Sequence, residues 1–284
     1  MAPMEGVTNY VFRKVYIKHF SGVDKFFTPF ITPHMKKGFS KSELMELNTE
    51  YNKGQYLIPQ ILTNSAEDFL KLADEIEEMG YSEFNINLGC PSGTVTSKGR
   101  GSGFLQDPEA LDRFFYEIFE KKNNITISVK TRIGFSDYGE WDDLLKVYKK
   151  YDFNEIIIHP RLRSDFYKNN IHLPSFTEAC NTFKQNIIYN GDIKTLDDVN
   201  DLKTKIFDEK VTGIMIGRGL VRNPLLAESI KENIETICIR RTIEFLDDIV
   251  EEYMSLGFGE RNTLFKLKEI WGMIMGDDDR YVKI

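Results

Sequence analysis

Short apolar runs alternate with stretches of helical spacing along most of the chain. The run 155–159 contains three consecutive isoleucines, which is typical of a strand buried on both faces of a parallel sheet. Serine or aspartate at a helix start and glycine after a helix end mark several boundaries. The pattern predicts strands at 2–4, 26–31, 56–62, 84–90, 125–131, 155–159, 186–189 and 213–216. It predicts helices at 10–20, 66–79, 140–151, 175–183 and 196–206, with further helices beginning near 108 and 224.

Eight strands, most of them followed by a helix, match the size of a closed (β/α)₈ TIM barrel. A doubly wound open sheet is the alternative, because strand alternation alone does not establish closure. The GxGxxG fingerprint is absent after the first strand, which disfavours that alternative. Residues 240–256 and 261–275 show helical spacing of apolar positions, and no strand is predicted between these two segments. We therefore expect a catalytic barrel over residues 1–237 and a small all-helical domain over residues 238–284.

Composition narrows the class of protein. The formal net charge of −7 does not attract a polyanion, so a nucleic-acid partner requires locally clustered lysines and arginines. Three cysteines without a CxxC pair argue against a disulfide framework and a zinc knuckle. No apolar run approaches the roughly 18 residues of a membrane span, and we expect no signal peptide because residues 1–5 lack its basic and apolar regions. We expect a cytoplasmic protein with no metal and no membrane contact, and take a monomer as the expectation.

The candidate catalytic group is the thiol of Cys90, in the segment Asn87-Leu88-Gly89-Cys90-Pro91. Pro91 cannot donate to a sheet ladder, so the strand ends there and the thiol lies where it meets a loop. A glycine-rich segment with Lys98 and Arg100 follows, which predicts a mobile basic loop. This pattern suggests acid chemistry on an anionic substrate. A buried structural cysteine is the alternative.

Polar residues stand at the carboxyl ends of seven of the eight predicted strands, which is where TIM barrels place their active sites. Each has an ordinary structural interpretation by itself, since a lone histidine is more often structural than catalytic. Together they predict a site at this end of the barrel. The residues are Met4 with Glu5, Gln60, Asn87 with Cys90, Lys130 with Arg132, His159 with Arg161, Asn190 with Asp192, and Arg218.

The last two strands predict a phosphate site. Asn190-Gly191-Asp192 and Gly217-Arg218-Gly219 follow the seventh and eighth strands, where many TIM barrels bind phosphate. Glycines allow backbone N–H groups to approach the phosphate, and Arg218 adds charge-assisted hydrogen bonds. The P-loop pattern GxxxxGK[ST] is absent. A phosphate-bearing cofactor such as FMN suits this pattern, with Lys130 over the redox ring to stabilise negative charge.

In these segments the sequence resembles the tRNA-dihydrouridine synthase family. The resemblance extends over about residues 1 to 230. The motif that contains Cys90, followed by the motif that contains Lys130, is in combination specific for this family. The matching segments are Ala2-Pro3-Met4-Glu5-Gly6-Val7-Thr8, Asn87-Leu88-Gly89-Cys90-Pro91 with Val95, Gly99, Gly101 and Leu105, Val129-Lys130-Thr131-Arg132-Ile133-Gly134, Asn190-Gly191-Asp192-Ile193, and Gly213-Ile214-Met215-Ile216-Gly217-Arg218-Gly219.

The resemblance implies an FMN-dependent barrel, a helical tRNA-binding domain and NADPH as reductant. A uridine of tRNA would be reduced to 5,6-dihydrouridine, with hydride added at C6 and a proton delivered to C5 by Cys90. Transferred position by position, Pro3, Met4, Glu5 and Gln60 border the flavin and Lys130 contacts its ring. His159, Asn190, Gly191, Asp192, Gly217 and Arg218 hold the ribityl-phosphate side.

Substrate contacts are expected at the same end of the barrel. Asn87, Lys98, Arg100, Arg132, Arg161 and Arg163 are the substrate-binding candidates, and Lys36, Lys37 and Lys168 also lie on predicted rim loops. Pro160 stands where the family often has a small residue, and the helical tail is shorter than the family's. The alternatives are an FMN barrel that acts on a free pyrimidine, as dihydroorotate dehydrogenase does, and a non-catalytic RNA-binding barrel.

Overall fold

Parallel strands form the centre of the molecule in the computed structural model, which describes residues 1–34, 38–122, 124–206 and 209–274. Strands β3 to β8 form one six-stranded parallel sheet in chain order, and β1 pairs with β2. The strands are β1 Phe26–Phe27, β2 Leu57–Ile58, β3 Gln60–Ile61, β4 Glu83–Leu88, β5 Thr126–Gly134, β6 Glu155–Leu162, β7 Asn186–Asn190 and β8 Val211–Met215.

The start of the chain closes this sheet into a ring. The Ala2 amide donates to the Ile216 carbonyl just after β8, at 2.8 Å. On the other side, the Met1 nitrogen donates to the carbonyl of Lys25, the residue before β1, at 2.6 Å. A bridge between Ile31 and Ile61 joins the strand pair to the larger sheet. The predicted TIM barrel is therefore confirmed.

Prolines explain where the predicted strands and the observed ones differ. The predicted strand 56–62 is interrupted at Pro59, which has no N–H to donate, and becomes β2 and β3. The predicted strand 26–31 is regular only over β1 and is interrupted near Pro29. The predicted strand at 2–4 is held by the Ala2 bond and forms no regular ladder.

Helices surround the strands and begin at side-chain caps. The Ser65 hydroxyl accepts the Asp68 amide at 3.2 Å, and the Asp107 carboxylate accepts the Ala110 amide at 2.9 Å. The pattern did not predict α2, although Ser40 and Glu43 form a capping box there. The helices are α1 Tyr10–His19, α2 Lys41–Leu47, α3 Ala66–Glu77, α4 Gly93–Thr96, α5 Pro108–Lys121, α6 Glu140–Tyr148, α7 Leu173–Thr182, α8 Leu196–Lys205, α9 Arg218–Arg222, α10 Leu226–Glu232, α11 Ile239–Ser255 and α12 Glu260–Ile274, with a 3₁₀ helix at Gly101–Gln106.

Alternate residues of the strands contribute to two apolar layers, one outside the ring of strands and one inside it. Phe84, Ile86 and Leu88 of β4 face the surrounding helices and belong to the large outer core. Inside the ring, a small cluster fills the space below the polar residues of the mouth. Its members are Ala2, Phe27, Ile58, Ile157 and Met215.

The last two helices pack against the barrel. The ring of Phe245 in α11 meets Phe12 and Phe20 edge-on, at centroid distances of 5.3 and 5.1 Å. α12 packs against α11 and against α9. The domain boundary at 237/238 stays a prediction, and these helices share the outer core with α1. Across the described residues, no helix is both long and apolar enough to span a membrane.

Candidate active site

A cavity of about 420 Å³ opens at the carboxyl ends of the strands, as expected for a TIM barrel. It brings together most of the residues predicted from the sequence. They are Pro3, Met4, Glu5, Gln60, Asn87, Cys90, Lys130, Arg132, His159, Asn190, Gly191, Asp192, Gly217 and Arg218. Four predicted substrate residues do not line it, namely Lys98, Arg100, Arg161 and Arg163.

A chain of amide groups forms the floor of the cavity. Asn87 donates to Gln60 at 2.7 Å, Gln60 donates to Asn85 at 2.7 Å, and Asn85 donates to the Ser128 hydroxyl at 2.9 Å. Each bond fixes which end of the next amide is donor and which is acceptor. The sequence pattern did not single out Asn85 or Ser128, which take alternate, inward-facing positions on β4 and β5.

Asn87 also anchors the loop that carries the thiol. Its Oδ1 accepts the amides of Gly89 and Cys90 at 3.1 and 3.0 Å. This bond pattern matches an Asx turn, in which a short side chain replaces a backbone acceptor. Asn87 therefore positions Cys90 at the edge of the cavity.

The glycine-rich segment after Cys90 is packed, which corrects the expected mobile loop. The amide and hydroxyl of Ser102 donate to the Cys90 carbonyl at 3.1 and 2.8 Å. Gly101 has φ +57°, and a Cβ there would lie 2.9 Å from the same carbonyl oxygen. Glycine is required for this close approach, because any larger residue would displace the Cys90 backbone.

The environment keeps the Cys90 side chain in its thiol form. Burial raises the pKa of this partly buried group, and the Glu5 carboxylate adds to the effect. The positive charges of Lys130 and Arg132 act in the opposite direction and would stabilise a thiolate once a proton had left. Cys90 can therefore donate a proton at neutral pH.

Lys130, on β5, contributes a titratable amino group to the cavity. Burial and the neighbouring charge of Arg132 lower the pKa of its ammonium group to about 7. Within the part of the chain that the structure describes, Lys130 Nζ has no hydrogen bond and no ion pair. Since a partly buried charge is costly unless paired, this side chain suits a ligand that carries or develops negative charge.

Arg132 lines the cavity, and three of the five N–H groups of its guanidinium donate to carbonyl groups. It donates to the carbonyls of Gly89, Leu162 and Phe166 at 3.0, 2.8 and 2.9 Å. The side chain is 1% exposed. Arg132 fastens the loop after β4 to the loop after β6, and its contact with the substrate stays a prediction.

Arg161 is likewise buried and lies within strand β6, whereas a rim loop was expected. Its guanidinium forms a bidentate ion pair with Asp192 and contacts His159 Nε2 at 3.1 Å. Burial and surrounding positive charges hold the pKa of His159 well below its usual value, so the ring is neutral. Because an arginine can only donate, Nε2 accepts and the remaining ring nitrogen, Nδ1, carries the proton.

Asp192 joins the loops after β7 and β8. It accepts from Arg218 at 3.1 Å as well as from Arg161, and these interactions lower its pKa although burial opposes ionisation. Gly219 permits the close approach of α9, because a Cβ there would lie 2.1 Å from the Ile193 carbonyl oxygen. Asn190 adds a bond to the Met215 carbonyl at 2.8 Å. The result is a cradle with one half-exposed guanidinium, that of Arg218.

The remaining basic candidates lie outside the cavity. Lys98 and Lys168 are exposed, and Arg100 is partly exposed with a long contact to Asn64. The guanidinium carbon of Arg163 lies 5.2 Å from the ring centroid of Phe135 and 4.9 Å from that of Phe166. Lys36 and Lys37 lie outside the described residues.

Tyr167 and Met273 are among the residues that line the cavity but were not singled out from the sequence. The ring of Tyr167 stacks on the ring of His159, with 5.9 Å between the two centroids. The guanidinium carbon of Arg218 lies 4.5 Å from the centroid of the same tyrosine ring. Met273 reaches the cavity from α12, far along the chain from the barrel strands. Nothing in the local sequence around either residue signals this placement, which depends on loop path and helix packing.

The family model for dihydrouridine synthase matches residues 1–255. A probable tRNA-dihydrouridine synthase of Staphylococcus epidermidis is 32% identical over 243 residues, covering 80% of this chain and 70% of that protein. One from Staphylococcus aureus is 31% identical over 253 residues, covering 84% and 72%. Probable tRNA-dihydrouridine synthase 2 of Bacillus subtilis is 30% identical over 232 residues, covering 80% and 70%.

Solved structures with the same architecture include a variant of NCR from Zymomonas mobilis, with a TM-score of 0.54 at 12% identity over 84% of this chain and 87% of that one. Histamine dehydrogenase from Rhizobium sp. 4-9 matches with a TM-score of 0.57 at 9% identity over 82% and 45%. At such identities the likeness shows the fold alone. The family model, in contrast, matches the amino-acid sequence over residues 1–255. The chain therefore belongs to the dihydrouridine synthase family, a family of flavin-dependent oxidoreductases.

Proposed function

We propose that this protein reduces a uridine of tRNA to 5,6-dihydrouridine, with FMN as its flavin and NADPH as reductant, in the cytoplasm. The observation that carries the proposal is the presence, in one cavity, of the Cys90 thiol and of the Lys130 amino group, which has no hydrogen bond or ion pair among the described residues. A reduction that adds a hydride and a proton to a conjugated double bond needs both a proton donor and a site for an electron-rich redox ring.

The residues of the cavity fit a flavin. Its volume of about 420 Å³ lies in the range of cofactor pockets. Lys130 offers a positive charge to the ring system, which gains negative charge on reduction. The floor residue Gln60 and the loop residues Pro3, Met4 and Glu5 would border the ring. His159, Asn190, Gly191, Asp192, Gly217 and Arg218 would hold the ribityl-phosphate side.

The residues proposed to hold the ribityl-phosphate side have different roles, because their charges differ. Asp192 is a carboxylate with a lowered pKa, so it would repel a phosphate and acts instead by orienting Arg218. Arg218 is half-exposed and can add a charge-assisted hydrogen bond to a phosphate oxygen. His159 offers its Nδ1–H as a neutral donor.

FMN, when bound, would supply the hydride, and conjugation of the uracil double bond with the C4 carbonyl makes C6 the position that would accept it. Cys90 then gives its proton to C5. The thiolate that remains is stabilised by the charges of Lys130 and Arg132, the groups that lower the pKa of Cys90. Water restores the proton before the next turnover. Asn87 and Ser102 keep the Cys90 backbone in place throughout.

The proposed substrate is tRNA, the molecule named in the curated relatives. With a net charge of −7, binding must depend on local positive charge around the cavity. Lys98, Arg100, Arg163 and Lys168 are the described residues placed for contacts with RNA phosphates. The uridine would have to leave its stack to enter the cavity, which costs a few kcal/mol and favours a poorly stacked loop nucleotide.

The test uses the purified protein with its visible spectrum recorded. Anaerobic incubation with NADPH and unmodified tRNA should yield tRNA in which one uridine gains the mass of two hydrogen atoms, detected by nuclease digestion and mass spectrometry. Free uracil and uridine, assayed in parallel, should react far more slowly. Faster reduction of free pyrimidine than of tRNA would replace the proposal with a small-molecule reductase. Tight tRNA binding by a protein without flavin would favour a non-catalytic RNA-binding barrel.

A further inference from the structure

Helix α12 forms part of the cavity. Met273, in its last turn, lines the same cavity as Cys90 and Lys130. The helix packs against α9, the short helix that begins at Arg218 after β8. A segment expected from sequence to be an appended domain therefore supplies a wall of the candidate active site.

Lys266 fastens this helix to the loop at residues 4–8, which follows the ring-closing segment at Ala2. Its ammonium group donates to the Gly6 carbonyl at 3.2 Å. Two side chains of α12 lie beside Gly6, since a Cβ built on this residue would be in ordinary van der Waals contact with Lys266 Nζ at 3.8 Å and Glu269 Oε2 at 3.6 Å. Gly6 has φ +78°, a conformation that suits glycine and turns its carbonyl group toward the helix.

The loop that receives this bond is a tight turn. The amides of Val7 and Thr8 both donate to the Met4 carbonyl at 3.0 Å, and the Thr8 hydroxyl accepts the Met4 amide at 2.8 Å. Pro3, Met4 and Glu5 in the same segment line the cavity. A shift of α12 would therefore be transmitted to residues that border the proposed flavin.

We propose that Lys266 is a positioning residue, which holds the 4–8 loop against α12 so that the helix and this loop act as one wall of the active site. Its bond to a backbone carbonyl requires a donor at the end of a long side chain and does not depend on RNA. The same helix carries Lys268, which is exposed and has no hydrogen bond or ion pair within the described part of the chain. Lys266 and Lys268 are two positions apart on α12. Comparing substitutions at the two lysines therefore distinguishes the bond to Gly6 from an effect of surface charge.

Hydrogen exchange in the purified holoenzyme tests the fastening without reference to activity. We expect Lys266→Met to speed exchange of the Val7 and Thr8 amides by about tenfold, the scale of one charge-assisted hydrogen bond at a partly exposed site. Lys266→Arg should keep exchange slow, because the guanidinium can donate to the same carbonyl. Lys268→Met is the matched control and should leave this peptide unchanged. Wild-type exchange in Lys266→Met would overturn the proposal.

A second measurement links the wall to catalysis and rests on the proposed function. In single-turnover reduction of tRNA, Lys266→Met should slow the step about tenfold, while its Kd for tRNA changes by less than about twofold. A change in Kd with an unchanged rate would make Lys266 an RNA contact and overturn the positioning role. If the wild-type enzyme forms no dihydrouridine, the proposed function fails, and the exchange experiment still decides the role of Lys266.

Discussion

The two ends of the barrel carry cavities of similar size, but the lysine at each end has different partners. The cavity at the carboxyl end measures about 420 Å³ and the one at the amino end about 470 Å³. At the amino end, Lys25 pairs with Glu155 at 2.9 Å and with Glu83 at 3.7 Å, and Tyr56 donates to Glu83. At the carboxyl end, Lys130 has no such partner among the described residues.

The difference shows why volume does not identify a functional site. A charge that already has its counter-ions contributes to the folded state and gains little from a ligand. A partly buried charge without one destabilises the folded protein until a ligand supplies the missing interaction. The pKa of Lys130, lowered to about 7, expresses that penalty. We therefore expect substitutions at the carboxyl end to change catalysis, and those at the amino end to change stability.

The largest effect is expected for Cys90→Ala. Without the proton donor, single-turnover reduction of tRNA should fall by about 10²- to 10⁴-fold, the usual range for a general acid. The measurement is dihydrouridine formed per bound flavin, after NADPH has reduced the cofactor.

The matched control for this change is Cys238→Ala, since Cys238 is also a partly buried free cysteine but lies just before α11. It should retain the wild-type rate. Full turnover by Cys90→Ala would mean that another group delivers the proton.

Lys130→Met should lower tRNA reduction by about 10- to 100-fold, because it removes the positive charge proposed to face the flavin. Its effect on the flavin-free protein has the opposite sign. The folded state releases this proton near pH 7, whereas the unfolded chain holds it to about pH 10.4, so wild-type stability should rise with pH between those values.

Thermal melts of flavin-free protein between about pH 6 and pH 10 test this linkage. In Lys130→Met the rise should be reduced, and the variant should melt higher than wild type at the acidic end. Identical pH profiles for the two proteins would show that Lys130 carries no burial penalty.

Lys25→Met is the corresponding change at the amino end. It leaves Glu83 and Glu155 without their shared cation, so the free energy of unfolding should fall by about 1–3 kcal/mol, a value reduced by the partial exposure of Lys25. Denaturant melts measure this loss. The rate of tRNA reduction per folded molecule should remain that of wild type, and a lowered rate would contradict the separation of the two ends.

Local sequence rules predicted much of the barrel. Consecutive isoleucines marked the buried strand β6, Ser65 and Asp107 marked helix starts, and Pro91 marked the end of the Cys90 strand. These features depend on residues within one turn or one strand. For the same reason the order of strands and helices, and with it the position of the cavity, followed from the chain alone.

The roles of the arginines could not be predicted in this way. Arg132 and Arg161 stand in motifs beside Lys130 and His159, but whether each guanidinium faces solvent depends on partners distant in sequence. Arg132 is engaged by three carbonyls from two loops, and Arg161 by a carboxylate after β7. Likewise, the contact of Lys266 with Gly6 depends on how α12 packs across the barrel mouth.

The smallest predicted effect compares two exposed lysines at the two ends of the barrel. Lys98→Ala, next to the cavity mouth, should weaken tRNA binding by about two- to threefold and reduce the slope of log Kd against log salt concentration by about one. Lys231→Ala is the control, because Lys231 lies beside the amino-end cavity and pairs with Asp24. It should leave affinity unchanged, since the phosphates next to a uridine at Cys90 would lie at the carboxyl end of the barrel. Filter binding at several salt concentrations measures both variants, and equal losses of affinity in the two would mean that tRNA does not distinguish the two ends.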